Sequence, residues 1–351
     1  MHPTRAVLRR RMFCISISLW VALFLIAVYF STKGEWPSIS IQQADGSLRG
    51  ISSKRNVAVG VMQSNIYVFD NDSAEDKVIT RQELMRVLKK MHNRENIERD
   101  YFAYILRRSK KLLQSSDLVY DIKLPNQSSN TQVTVIGDTH GQYDTILYIF
   151  QMNGFPSEEH VYIINGDFMD KGSQSIESLI ALYLYKLHCP SCIHFTRGNH
   201  ETDEYFRFMV KRQVLERYDE EVYGLILETI YELPIALTIE NKVFVIHAGI
   251  TSSQLTLEDL KSIKRGIEPE EDTLNMDIIW ADPGDEDGMG GDSIRGLLFG
   301  PDVSEEFLAN NHLKIIVRAH DSTVDSGYQN DHDGRVLTIF FISTMHKGEF
   351  P

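Results

Sequence analysis

Cysteine is scarce. The chain holds three in 351 residues, too few for a disulfide scaffold, so a packed core must hold the fold. Cys14 lies in an apolar run, and Cys189 and Cys192 form the C-x-x-C pair of "CPSC". A thioredoxin-type redox site needs such a pair at a helix N-terminus after a strand. Here the pair comes after a helical pattern and precedes a strand-like run, and no second Cys/His pair stands at zinc-finger spacing. It reads as a small structural disulfide or as chance. Internal repeats and long low-complexity tracts are absent. Positive charge is short where most of the chain lies: residues 121–351 hold 17 Lys+Arg against 38 Asp+Glu, while residues 1–120 hold 19 against 11. An acidic main domain argues against a nucleic-acid partner and suits a protein that holds cations.

One uncharged run is long. "MFCISISLWVALFLIAVYF", residues 12–30, has 19 residues, about the length that spans a bilayer. Arg5, Arg9, Arg10 and Arg11 precede it, and Lys33 and Glu35 come after it. That asymmetry predicts a cytosolic tail at 1–11, a single-pass signal anchor at 12–30, and a lumenal or extracellular bulk. The run is long for a signal peptide, "AVYFST" is a poor cleavage site, and the stretch is too hydrophobic for a mitochondrial leader. The sequons at Asn71 and Asn126 fit a lumenal domain. Residues 31–77, rich in Gly, Ser, Asn and Asp, read as a stalk, with "NIYVFD" as a possible short strand.

From Thr80 the periodicity is helical. Thr80 and Glu83 form a capping-box pattern ahead of Leu84, Val87, Leu88 and Met91 on one face. A second helix is predicted from about Ile97 to Leu113, with a basic face that reads as solvated. These helices make a lead-in at 78–120 to a domain at 121–351. Five apolar runs then read as buried strands: "TQVTVI" 131–136, "HVYIIN" 160–165, "CIHFTR" 192–197, "KVFVIH" 242–247 and "LKIIVR" 313–318. Helical stretches at about 142–153 and 174–188 separate the first three, which predicts an α/β layered domain. "GDEDGMGGD", 284–292, reads as a solvated acidic loop, since it lacks EF-hand spacing.

The residues just beyond each strand carry the chemistry. The runs end in "GDTHG" with Asp138 and His140, "GDFMDKG" with Asp167 and Asp170, "GNHE" with Asn199 and His200, "HAG" with His247, and "RAHD" with His320. Sites in α/β sheets form where loops converge at the carboxyl ends of strands. A single Asp or His there is an ordinary turn residue; five consecutive strand ends of this kind are not a coincidence. Aspartate, histidine and one neutral asparagine oxygen suit Mn, Fe or Zn rather than calcium. The candidates exceed the needs of one tetrahedral ion and fit two. Two such ions can share a bridging hydroxide and stabilise an in-line displacement at phosphorus, with Asp167, central in the series, as the natural bridge.

"GDTHGQ", "GDFMDKG", "RGNHE", "HAGI", "RGLLFGPDV" and "RAHD", in this order and spacing, resemble the phosphoprotein phosphatase family of metal-dependent serine/threonine phosphatases. The resemblance covers about residues 79–350. It is greatest to the branch whose members carry a tetratricopeptide region, which is replaced here by the expected anchor and stalk. It implies a metallophosphoesterase-like fold, with central sheets in a β-sandwich flanked by helices, and phosphoprotein substrates. One metal would sit on Asp138, His140 and Asp167, and the second on Asp167, Asn199, His247 and His320. His200, held by Asp170, would protonate the leaving oxygen, and Lys171 and Arg295 would bind the phosphate. Lys171 stands where the family has arginine, "HAG" replaces "HGG", and "ISTMH" puts His346 at a groove tyrosine's position. The chain stops at Pro351, where the family adds closing strands, so one sheet is expected to lack an edge. A small-molecule phosphoesterase and a metal-binding pseudophosphatase remain alternatives.

Overall fold

The computed structural model describes residues 78–124, 131–271, 273–292, 296–322, 324 and 327–340, with the backbone of two strands at 24–29 and 38–43. Those two strands, β1 (Phe24–Tyr29) and β2 (Ser38–Gln43), pair with each other antiparallel. Two helices come next, α1 (Arg81–His92) and α2 (Arg99–Gln114). Thr80 caps α1, its side chain accepting from the Glu83 N–H as the sequence predicts. The chain continues through β3 (Val119–Ile122), β4 (Gln132–Ile136), α3 (Tyr143–Asn153), β5 (His160–Asn165), α4 (Ser175–His188) and β6 (Ile193–Thr196). Helices α5 (Asp203–Phe206), α6 (Met209–Arg217) and α7 (Glu220–Ile230) lead to the hairpin β7 (Ala236–Ile239) and β8 (Val243–Ile246). The remainder is α8 (Leu257–Lys261), α9 (Leu274–Asp277), β9 (Asp282–Pro283), β10 (Met289–Asp292), β11 (Gly296–Phe299), α10 (Pro301–Asn310), β12 (Ile315–Arg318), β13 (Tyr328–Asp331) and β14 (Val336–Ile339).

The strands form one sheet in the order β2-β1-β4-β5-β6 and a second in the order β13-β14-β12-β8-β7-β3, with a small third sheet β10-β11-β9. Successive side chains of a strand point to opposite faces, and β5 shows the consequence. Val161 and Ile163 pack between the sheets against Val245, Val317 and Leu337. Tyr162 and Ile164 face the other way, into a core built with α1–α4, α6 and α7. The outer face of the second sheet, including Phe244 and Ile316, is covered by α8–α10. Strands buried on both faces need unbroken apolar runs, which is why five of them were legible. The architecture is the expected sandwich of sheets between helices.

Three expectations change. Phe24–Tyr29, the end of the run predicted to cross a bilayer, is a strand paired antiparallel with β4, so residues 12–30 are not one continuous helix. The physical reason lies in composition: a run rich in Ile, Val, Phe and Tyr satisfies a sheet edge as well as a helix, and hydrophobicity alone cannot separate the two. Residues 12–23 lie outside the described residues, as do Asn71, Asn126 and "NIYVFD". Among the described residues no helix is long and apolar enough to cross a membrane. Part of the expected stalk, Ser38–Gln43, is the sheet's edge strand, and part of the acidic loop is β10. The basic face of α2 stays solvated, with Arg107 56% exposed, and Arg99, Arg107 and Lys110 form surface pairs with Asp219, Glu221 and Glu228 at and on α7. Cys189 and Cys192 are joined as a disulfide in the turn between α4 and β6.

Candidate dinuclear metal centre

Register brings the five strand ends to one level. Ile136 lies beside Ile164, Asn165 beside Thr196 and Val245 beside Val317, so the residues just beyond them converge. Five of the eleven described non-glycine residues with positive φ are candidate site residues: His140, Asp167, Asp170, Lys171 and His320. Such backbone is costly and persists only where its surroundings enforce it, as functional sites do. Gly166 (φ 79°) and Gly198 explain the close approach. A Cβ on Gly166 would lie 2.5 Å from His247 Nδ1, and one on Gly198 would collide with Asp167 Oδ1.

Asp167 is the hub. Its Oδ1 lies 3.5 Å from His247 Nε2, and its Oδ2 lies 3.8 Å from His140 Nε2 and 3.9 Å from His200 Nε2. Asp138 Oδ2 is 3.6 Å from His140 Nε2. Two clusters have ligand atoms within 4.8 Å of one another, His140–Asp167–His200 and Asp138–Asp167–His247, and Asp167 belongs to both. Asn199 Oδ1 is 3.0 Å from His247 Nε2, and His320 donates its backbone N–H to Asp138 at 3.2 Å. Among the described residues the two clusters thus hold Asp138, His140, Asp167 and His247 together with His200, while Asn199 and His320 adjoin them through His247 and Asp138, a grouping different from the sets the resemblance implies. Burial opposes ionisation of Asp167, but the imidazoles of His247, His200 and His140 hold its carboxyl far below the ordinary range. Burial also pushes His140 and His247 down, toward neutral imidazoles with one ring lone pair each. The buried His140 Nδ1 and Asp170 Oδ1 have no hydrogen-bond partner among the described residues. Two buried carboxylates, neutral imidazoles and an amide oxygen facing one space are what a pair of divalent cations requires, so the residues fit that group.

The supporting contacts were not assigned from sequence. His247 donates its Nδ1 hydrogen to Asn165 O at 2.8 Å, which leaves Nε2 as the acceptor facing Asp167. The Asn165 side chain donates to Ile246 O and accepts from Thr196, tying the two sheets together at the site. Asp282 accepts from His320 Nδ1 at 3.1 Å and from the buried Arg318 at 2.5 Å. Burial works against its ionisation, yet His320 and Arg318 hold it down at about 2. Such partners fix the orientation of ligating imidazoles. Glu201, the last residue of "RGNHE", is fully buried and accepts four backbone N–H groups, from Asp167, Gly198, Phe168 and Met169. Burial and the charge of Asp167 push its carboxyl well up, against the partial pull of the N–H donors. With every aimed group a donor, the carboxylate is the form that fits.

His200 Nδ1 lies 2.8 Å from Asp170 Oδ2, as expected for that pair. Lys171 Nζ donates to His140 Nε2 at 3.0 Å, which puts its charge at the mouth of the cluster. Arg295 and His346 lie outside the described residues.

Comparison with known proteins agrees with this geometry. A family profile described as calcineurin-like phosphoesterase matches residues 131–323. Serine/threonine-protein phosphatase 5 of Solanum lycopersicum is 37% identical over 270 residues, 76% of this chain and 48% of the relative. The Homo sapiens protein of that name is 34% identical over 84% of this chain and 59% of its own length. The chain thus spans about half the length of the curated relatives it matches. A solved Saccharomyces cerevisiae protein serine/threonine phosphatase, with similarity to human phosphatase PP5, superposes with a TM-score of 0.69 at 32% identity, covering 73% of this chain and 82% of that one.

Proposed function

The chain belongs to the calcineurin-like phosphoesterases, and we propose that within them it hydrolyses phosphoserine and phosphothreonine monoesters in proteins. One observation carries the reading: a buried aspartate, Asp167, is shared by two carboxylate–imidazole clusters, and a His200–Asp170 pair faces the same point. The serine/threonine phosphatases among its relatives supply the substrate class.

When bound, two divalent ions supply charge neutralisation and an activated water. The chain's own residues do the rest. Asp167 and Asp138 set the negative charge that holds cations at this point. Asp170 accepts from His200 Nδ1, which fixes the tautomer and turns Nε2 toward the hub, 3.9 Å from Asp167 Oδ2. A phosphomonoester seated there would place its leaving oxygen against that Nε2, which can protonate it only when the ring is the imidazolium, with a proton on each nitrogen. Lys171 offers the phosphate one charged contact instead of a planar fork. Lys171→Arg, which can form two parallel hydrogen bonds, is expected to lower KM about fivefold with kcat within about twofold, measured on a phosphoserine peptide.

The test is turnover of a phosphoserine peptide by the full chain with manganese, abolished by a chelator and restored by the metal. Greater turnover of nucleotide monophosphates would favour a small-molecule phosphoesterase. Two bound metals without turnover would establish a pseudophosphatase and sink the enzymatic reading.

A further inference from the structure

Asp170 holds His200 by one hydrogen bond, at Nδ1. Rotation of the ring about its Cβ–Cγ bond is opposed there by that single hydrogen bond, and such rotation would swing Nε2 away from the leaving oxygen. The imidazole must therefore be blocked on its faces. Four groups surround it. Asp170 lies at Nδ1, Asp167 lies 3.9 Å from Nε2, and the His140 ring stands nearly perpendicular at 4.8 Å between centroids. The fourth is Tyr205, whose ring centre lies 4.1 Å from that of His200, tilted by 48°. Among the described residues it is the closest ring to the imidazole.

Tyr205 is itself well held. It sits in α5, which comes directly after the "RGNHE" strand end and is anchored by the fully buried Phe206. The Asp203 N–H donates to Glu268 at 2.9 Å, and the Asp203 carboxylate accepts from Tyr223 at 2.7 Å. On its other side Tyr205 meets Trp280 at 5.9 Å, and Trp280 stands edge-on to His320 at 5.4 Å. The aromatic groups thus form an arc from His200 to His320 across the site.

We propose that Tyr205 is a positioning residue: its ring, packed against the imidazole of His200, keeps Nε2 aligned with the leaving oxygen. The inference rests on the role proposed for His200. It predicts a signature that general loss of structure does not produce. Protonation matters most when the leaving group is a poor one, such as the serine alkoxide, and least for nitrophenolate.

The experiment compares the full-length protein with Tyr205→Ala, Tyr205→Phe and His200→Asn, all with manganese, on p-nitrophenyl phosphate, less activated aryl phosphates and a phosphoserine peptide. Tyr205→Ala is expected to lose about tenfold in kcat on the peptide and stay within about twofold on the nitrophenyl ester, while Tyr205→Phe behaves as the parent. His200→Asn should show the same selectivity at about 100-fold. Equal losses on all substrates in Tyr205→Ala, with His200→Asn selective, overturn the inference alone. An unselective His200→Asn overturns the role of His200, and this inference with it. Should the alanine variant not fold, Tyr205→Leu fills the space without a flat ring, and parent-like behaviour there also overturns the proposal. A second readout needs no turnover: crystals of a metal-free variant lacking the ring should show His200 in more than one ring orientation, and a single parent-like orientation counts against the role.

Discussion

Asp167→Asn is expected to cut turnover of a phosphoserine peptide by at least about 1000-fold, the scale of one lost preorganised electrostatic group, while leaving the metal-free fold intact. Asparagine has the same shape, and its Oδ1 can still accept the His200 backbone N–H, 3.0 Å from Asp167 Oδ1. What it loses is the charge that both clusters share. In the metal-free protein that charge is a buried anion whose desolvation is outweighed by the imidazoles of His247, His200 and His140, so neutralising it should leave the melting temperature unchanged or somewhat lowered. With manganese the difference widens. A cation that binds only the folded state stabilises it by mass action, and the variant should lose most of that rise in melting temperature. Parent-like turnover, or an undiminished manganese-induced shift, would remove Asp167 from the centre of the site.

The parts of this molecule legible in its sequence were those set by local pattern. β5 is apolar at nearly every position because both faces are buried, and α1 begins where Thr80 can cap Glu83. The ligand types were legible for a related reason: each sits directly after its strand, and chain order set the order of convergence. What stayed hidden depends on contacts between distant segments. Asp282 orients His320 from 38 residues away, and nothing in "WADP" says which imidazole it will meet. Asn165 locks His247 across the two sheets through a backbone carbonyl, which leaves no trace in residue type. The apolar run at 12–30 failed for another reason. Its hydrophobicity is shared by membrane helices and sheet strands alike, so it could not tell that Phe24–Tyr29 would pair with β4.

Glu201 carries the second large effect, and it is structural before it is catalytic. Its Oε2 accepts the N–H groups of Asp167 (2.7 Å) and Gly198 (3.0 Å), and its Oε1 those of Phe168 (3.1 Å) and Met169 (3.4 Å). One carboxylate thus joins the loop after β5, which bears Asp167, to the loop after β6, which bears Asn199 and His200. Glu201→Ala strands four buried donors. An unsatisfied buried donor costs about 1–3 kcal/mol, so the loss is about 4 kcal/mol if each costs the minimum or if water recovers part of a larger sum. For a domain of this size that corresponds to a fall of roughly 8–16 °C in melting temperature. Glu201→Gln should recover little of it, because the amide NH2 would face two of the same donors. This distinguishes donor satisfaction from simple filling of space, under which glutamine would be nearly silent. Measured on the metal-free protein, the loss is independent of cation binding; measured with manganese, it should be accompanied by weaker binding, since Asp167 and Asn199 would no longer be held in register. A glutamine variant as stable as the parent would show that the two loops are held together by something other than this carboxylate.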